Sequence, residues 1–184
     1  AVGNTVWMID TEMELSKPVA VPYYADLIAD GGSTDNNSDV IALYYVDTWE
    51  RLFVSTEDVF YILGWKETGP SGKQLSRLQH EWITGVLDTA PVDMAFDAKY
   101  KSTNGDQGGA LWLAQWGAVH RMDYAGRFDR FSYHQGSPFV SNITSVQVVG
   151  DGVWVGAATG VARMQLPALG DIADTLNVRS RNTQ

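Results

Sequence analysis

A few groups of residues in this chain have types and spacings that could do chemistry. The densest runs from Asp30 to Asp39, where Asp35, Asn37 and Asp39 alternate their oxygens as a calcium loop does. The glycine and the closing glutamate of an EF-hand loop are absent, so a polar connecting loop is the preferred reading. No other cofactor is expected. His80, Glu81 and His134, with His120 on a strand, hold groups that could move protons or bind a metal. Their spacing matches no HExxH pattern, and they read better as scattered surface histidines. Trp49, Trp65, Trp82 and Trp116 lie outside the regular hydrophobic pattern, where loop aromatics can stack on sugars or anchor a protein contact. No glycine-rich phosphate loop, nucleophile elbow or paired-carboxylate motif stands out. Catalysis is therefore not the favoured expectation.

The elements that would position these residues are strands. Seven Trp, eight Tyr, six Phe and 45% hydrophobic residues in 184 give a chain able to bury a core. Eighteen Gly among many Val, Thr and aromatic residues favour strands joined by tight turns. A formal charge of −9 argues against sequence-independent nucleic-acid binding and against docking on anionic lipid. No apolar run is long enough to span a bilayer as a helix. Without cysteine there is no disulfide, thiolate metal site or thiol nucleophile.

An apolar-aromatic-apolar triplet occurs four times: Val6-Trp7-Met8, Leu52-Phe53-Val54, Leu111-Trp112-Leu113 and Val153-Trp154-Val155. The intervals between first residues are 46, 59 and 42, which bracket one four-stranded blade of a β-propeller. The last three triplets are each followed by a turn and a second apolar run. Arg121-Met122 and Arg163-Met164 fall at nearly matching places in those runs. Strands Val40 to Val46, Val92 to Asp97 and Ile143 to Val149 precede the triplets, and Arg127 to Tyr133 follows the third. The expected unit is inner strand, aromatic strand, partner strand and outer strand. The central aromatics Trp7, Phe53, Trp112 and Trp154 are expected in the core between blades. Gly156 is expected to leave room where blades converge.

From Leu111 to Leu166 the chain resembles the repeat of two-component-regulator sensor propellers. The matching residues are Leu111-Trp112-Leu113-Ala114, Gly117, Phe128, Phe131, Asn142-Ile143-Thr144-Ser145-Val146, Asp151-Gly152 and Val153-Trp154-Val155-Gly156. The likeness is weaker over Val40 to Leu63. Ser55 and Ala114 stand in place of the strand glycine, and Asp58 in place of a turn glycine. The resemblance implies an all-β propeller of four-stranded antiparallel blades, with pieces near 1–30, 40–78, 92–133 and 143–166. Residues 167–184 form a tail or closing strand. It also implies a binding face built from intra-blade turns carrying Glu57, Asp58 and Trp116. The loops Asp30 to Asp39, Gly64 to Glu81 and His134 to Val140 would add His80 and His134, with Trp82 directly after the second of them. Sequons occur at Asn36 and Asn142. Asn142 fills the repeat's own asparagine position, where its side chain is expected to brace the turn, so Asn36 is the better acceptor in a secreted chain.

Counting strands leaves partial blades at both ends. The ring is expected to be completed by further propeller sequence or a partner subunit, rather than as a four-bladed ring sharing one blade between the termini. The leading expectation is a non-catalytic interaction or scaffold module. An extracytoplasmic ligand-sensing domain comes second, and extracytoplasmic or secreted placement is favoured. A metal-assisted lyase or hydrolase using His80, Glu81 or His134 comes third.

Overall fold

The computed structural model describes residues 7–8, 21–22, 39–57, 60–67, 73–79, 89–101, 107–132, 139 and 142–164. Among them the chain is all-β, with antiparallel sheets and a single 3-10 turn. A two-stranded ribbon pairs β1 (Trp7–Met8) with β2 (Val21–Pro22). The first large sheet is a meander of β3 (Val40–Val46), β4 (Arg51–Thr56), β5 (Phe60–Glu67) and β6 (Lys73–Gln79). The second repeats that order with β7 (Asp93–Asp97), β8 (Ala110–Gln115), β9 (Ala118–Asp123) and β10 (Phe128–Ser132). The third holds β11 (Ile143–Val149), β12 (Gly152–Ala157) and β13 (Gly160–Met164). The expected loop Gly64 to Glu81 is thus corrected. β5 runs on to Glu67 and β6 pairs back along it, because ladder hydrogen bonds hold the polar Lys73–Gln79 in a strand that hydrophobic alternation does not announce.

Pairing puts corresponding residues in corresponding places. In the first sheet Tyr44, Phe53 and Ile62 lie in one cross-strand row. Ala95, Trp112 and Arg121 form that row in the second, and Gln147, Trp154 and Arg163 in the third. Directly opposed residues share a face, so each row projects to one side of its sheet. The alternate rows are Tyr45-Leu52-Leu63, Phe96-Leu111-Met122 and Val148-Val153-Met164. A bulge falls at the same place in two inner strands, at Ile41 against β4 and at Thr144 against β12.

Two cores follow. Phe53 and Ile62 of the first sheet pack on Met94, Leu111, Leu113 and Met122 of the second. Trp112, Ala114, Val119 and Phe131 on the opposite face of that sheet pack on Val146, Val153, Val155 and Met164 of the third. The second sheet is therefore covered on both sides, and β8 and β9 are buried throughout. The first strands come together: β3 lies against β7, and β7 against β11.

Polar contacts fix both junctions. At the first, the Trp49 Nε1–H donates to the Gly108 carbonyl (3.0 Å) and the Arg51 guanidinium to the Tyr124 carbonyl (2.7 Å). At the second, the Val146 amide donates to the Asp93 carboxylate (2.9 Å). Arg121 is buried on the same face as Trp112, donates to Asp129 Oδ2 at 2.6 and 3.0 Å, and lies over the Tyr100 ring at 4.5 Å. Its charge is thus paired and hydrogen-bonded, as burial requires.

Gly109 closes the approach to β8 at a φ of 97°, and a Cβ there would overlap the Phe96 ring. Gly109→Ala is expected to cost about 1–3 kcal/mol, since it forces a left-handed backbone on an L-residue and displaces Phe96 from the first junction. Gly117, with open space around its Cα, is the control. Denaturant midpoints measure both.

Gly156 serves a different purpose from the one expected. Its vacant Cβ position is taken up by the Ser145 hydroxyl of the same sheet, not by a converging neighbour.

Candidate functional site

Of the predicted site residues, Asp35, Asn37, Asp58, His80, Trp82 and His134 lie outside the described residues, as do Asn36 and Glu81. Asp39 is exposed just before β3, and Glu57 is exposed in the bend after β4. Trp116 is exposed in the turn between β8 and β9, while its carbonyl accepts the Ile143 amide at 3.3 Å. The structure thus places Glu57 and Trp116 in corresponding turns of the first two sheets, with Ala158 and Thr159 in that turn of the third. No group of three or more His, Cys, Asp or Glu suited to a metal occurs among the described residues. No helix among them is long and apolar enough to cross a membrane.

Three sequence readings need correction. Trp49 is not a loop aromatic open to ligand. The 3-10 turn Asp47–Trp49 folds it inward, 4% exposed, edge-on to Phe53, Phe96 and Tyr124. His120 is not a surface histidine, because it sits opposite Leu113 in the fully buried strand β9. Trp154 is not buried between sheets. It occupies the place of Trp112 in its row but is 40% exposed, where Trp112 has no exposed surface.

Asn142 is half-buried with φ at 58°, and its carbonyl accepts the Ala158 amide at 3.2 Å. Asparagine tolerates that left-handed backbone better than most side chains, which accounts for its presence through the main chain.

The surface that emerges is the outer face of the third sheet. Trp154 is joined there by Val161, 71% exposed, and by Val149. Arg163 beside Trp154 donates to Asp151 Oδ1 at 2.7 Å, an exposed pair of little energetic weight. A second apolar row, Ile41, Leu43 and Tyr45, is about two-fifths exposed on β3. Leu43 and Tyr45 sit opposite Val54 and Leu52, on the side of the first sheet that faces away from the second. The signal for this second row was present in the sequence. Val40–Val46 is apolar at every position, which marks a strand with two faces to cover.

Comparison with protein-family models, with curated proteins and with solved structures gives no match for this chain.

Proposed function

We propose that the three large sheets are successive blades of a β-propeller and that the chain is a non-catalytic interaction or scaffold module. Further propeller sequence or a partner subunit completes it. One observation carries this reading. The same cross-strand row is buried by the next sheet at Phe53 and at Trp112, and stands exposed at Trp154. The meeting of β3, β7 and β11 supports a radial arrangement, with first strands around an axis. The internal repeat of Arg121-Met122 and Arg163-Met164 is supported by the Trp112-to-Arg121 and Trp154-to-Arg163 pairings.

Spin labels test the blade arrangement, and the absence of native cysteine makes labelling clean. One pair joins the bulge positions Ile41 and Thr144, the other the turn positions Glu57 and Thr159. Blades fanned about an axis give a longer Glu57–Thr159 span than Ile41–Thr144 span. Equal spans signify a flat stack and rule the propeller out.

Exposed Trp116 supports a second reading, ligand sensing at the turn face. On that reading Trp116→Ala abolishes ligand response without changing assembly.

A further inference from the structure

We infer that the outer edge of β13 receives an extended strand from a partner protein, one carrying a carboxylate and, two residues further on, an aromatic side chain. The inference rests on the reading of the sheets as successive repeats, and it gives the chemistry of a partner that this reading leaves unnamed.

The second sheet is the template. Its fourth strand, β10, runs antiparallel along β9, with Asp129 opposite Arg121 and Phe131 opposite Val119. Residues two apart in a strand share a face, so both stand on the Trp112 side of the sheet. Asp129 Oδ2 accepts hydrogen bonds from the Arg121 guanidinium at 2.6 and 3.0 Å. Phe131 packs on Trp112 with ring centres 5.5 Å apart. Arg130, between them, is exposed.

The third sheet keeps the receiving half of this arrangement. Trp154, Val161 and Arg163 stand in register where Trp112, Val119 and Arg121 stand in the second. Among the described residues β13 pairs only with β12, and no strand takes the place of β10. Exposure agrees with that. Val161 is 71% exposed where Val119 has no exposed surface. The Arg163 side chain is 48% exposed against 7% for Arg121. Arg163 instead donates to Asp151 of the neighbouring turn, an exposed pair that an incoming carboxylate displaces at little cost.

A strand added at a sheet edge gains main-chain hydrogen bonds, and its alternate side chains decide which sequence is taken. In the register of β10 the carboxylate meets Arg163, and the aromatic covers Val161 and Trp154. The net charge of −9 disfavours a segment rich in acidic residues, so a single carboxylate at that position is the match.

The test uses a fluorescein-labelled peptide copying residues 126–132, which holds Asp129 and Phe131, added to the whole chain. Fluorescence anisotropy is expected to show saturable binding at one site. Peptides with Asp129→Lys or Phe131→Ala are expected to bind at least about tenfold more weakly, the usual effect of losing one charge-assisted hydrogen bond. Arg163→Asp in the protein reverses the preference, so that the Lys peptide binds better than the Asp peptide. Hydrogen exchange read by mass spectrometry is expected to slow in Gly160–Met164 on saturation and to stay unchanged in Phe128–Ser132.

Absence of saturable binding overturns the proposal. So do equal affinities for the Asp and Lys peptides, or slowed exchange at β9 and not at β13. The peptide comparison is made on the wild type and holds if Arg163→Asp fails to fold by circular dichroism. None of these results touches the spin-label spans, which judge the propeller reading separately.

Discussion

Trp112→Ala is expected to destabilise the chain by about 3–5 kcal/mol, the range for removing a fully buried Trp where the surroundings cannot collapse. Trp112 has no exposed surface, packs on Phe131 at 5.5 Å and sits among side chains of two sheets. The loss has a second part. The Arg121 guanidinium lies 5.7 Å from the Trp112 ring centre and 5.6 Å from that of Phe131, so truncation also removes part of the bed on which a buried charge rests. Trp154→Ala makes the internal comparison. It removes the same side chain from the same place in the repeat, but at 40% exposure. Its expected cost to the isolated chain is about 1 kcal/mol or less, the usual range away from a packed core. Urea unfolding with midpoint and slope measured for each variant separates the two.

Phe53→Ala is the corresponding loss at the first junction, again expected at about 3–5 kcal/mol. Phe53 has no exposed surface, stacks on Phe60 at 5.9 Å and takes the edge of Trp49 at 6.1 Å. Its ring is the first sheet's contribution to the core shared with Leu111, Leu113 and Met122. Phe53→Leu keeps much of the apolar area and is expected to recover more than half of the loss. If Phe53→Ala and Trp112→Ala shift the midpoint by unequal amounts, the smaller shift marks the junction better able to relax. Thermal unfolding followed in the near ultraviolet reads the same contrast through the aromatic environment.

The strands of the second and third sheets were legible because their chemistry is local. β-Branched residues alternate along Ile143–Val149, and Gly150-Asp151-Gly152 and Ala158-Thr159 break the pattern where the chain turns. The Arg-Met pairs were legible as a repeat in sequence, and pairing sets them opposite the same two members of each triplet. The exposure of Trp154 was not legible. Nothing in Val153-Trp154-Val155 differs in kind from Leu111-Trp112-Leu113, and burial is settled by whether another sheet arrives. Trp49 failed for the opposite reason. A turn looks solvent-facing in sequence, yet hydrogen bonding to Gly108, 59 positions away, draws this one inward. β6 fell inside the expected blade piece 40–78 but overlapped the expected loop Gly64 to Glu81, because Lys73–Gln79 is polar and owes its conformation to the neighbouring strand.

Tryptophan takes two states in one molecule, buried at Trp112 and open at Trp154. Hydroxyl-radical footprinting with mass spectrometry reads this directly, tryptophan by tryptophan. In dilute monomer, Trp154 and Trp116 are expected to be oxidised while Trp112 and Trp49 are protected. A Trp154 shielded as well as Trp112 in the dilute monomer would contradict the account, because the third sheet would then have no unfinished face.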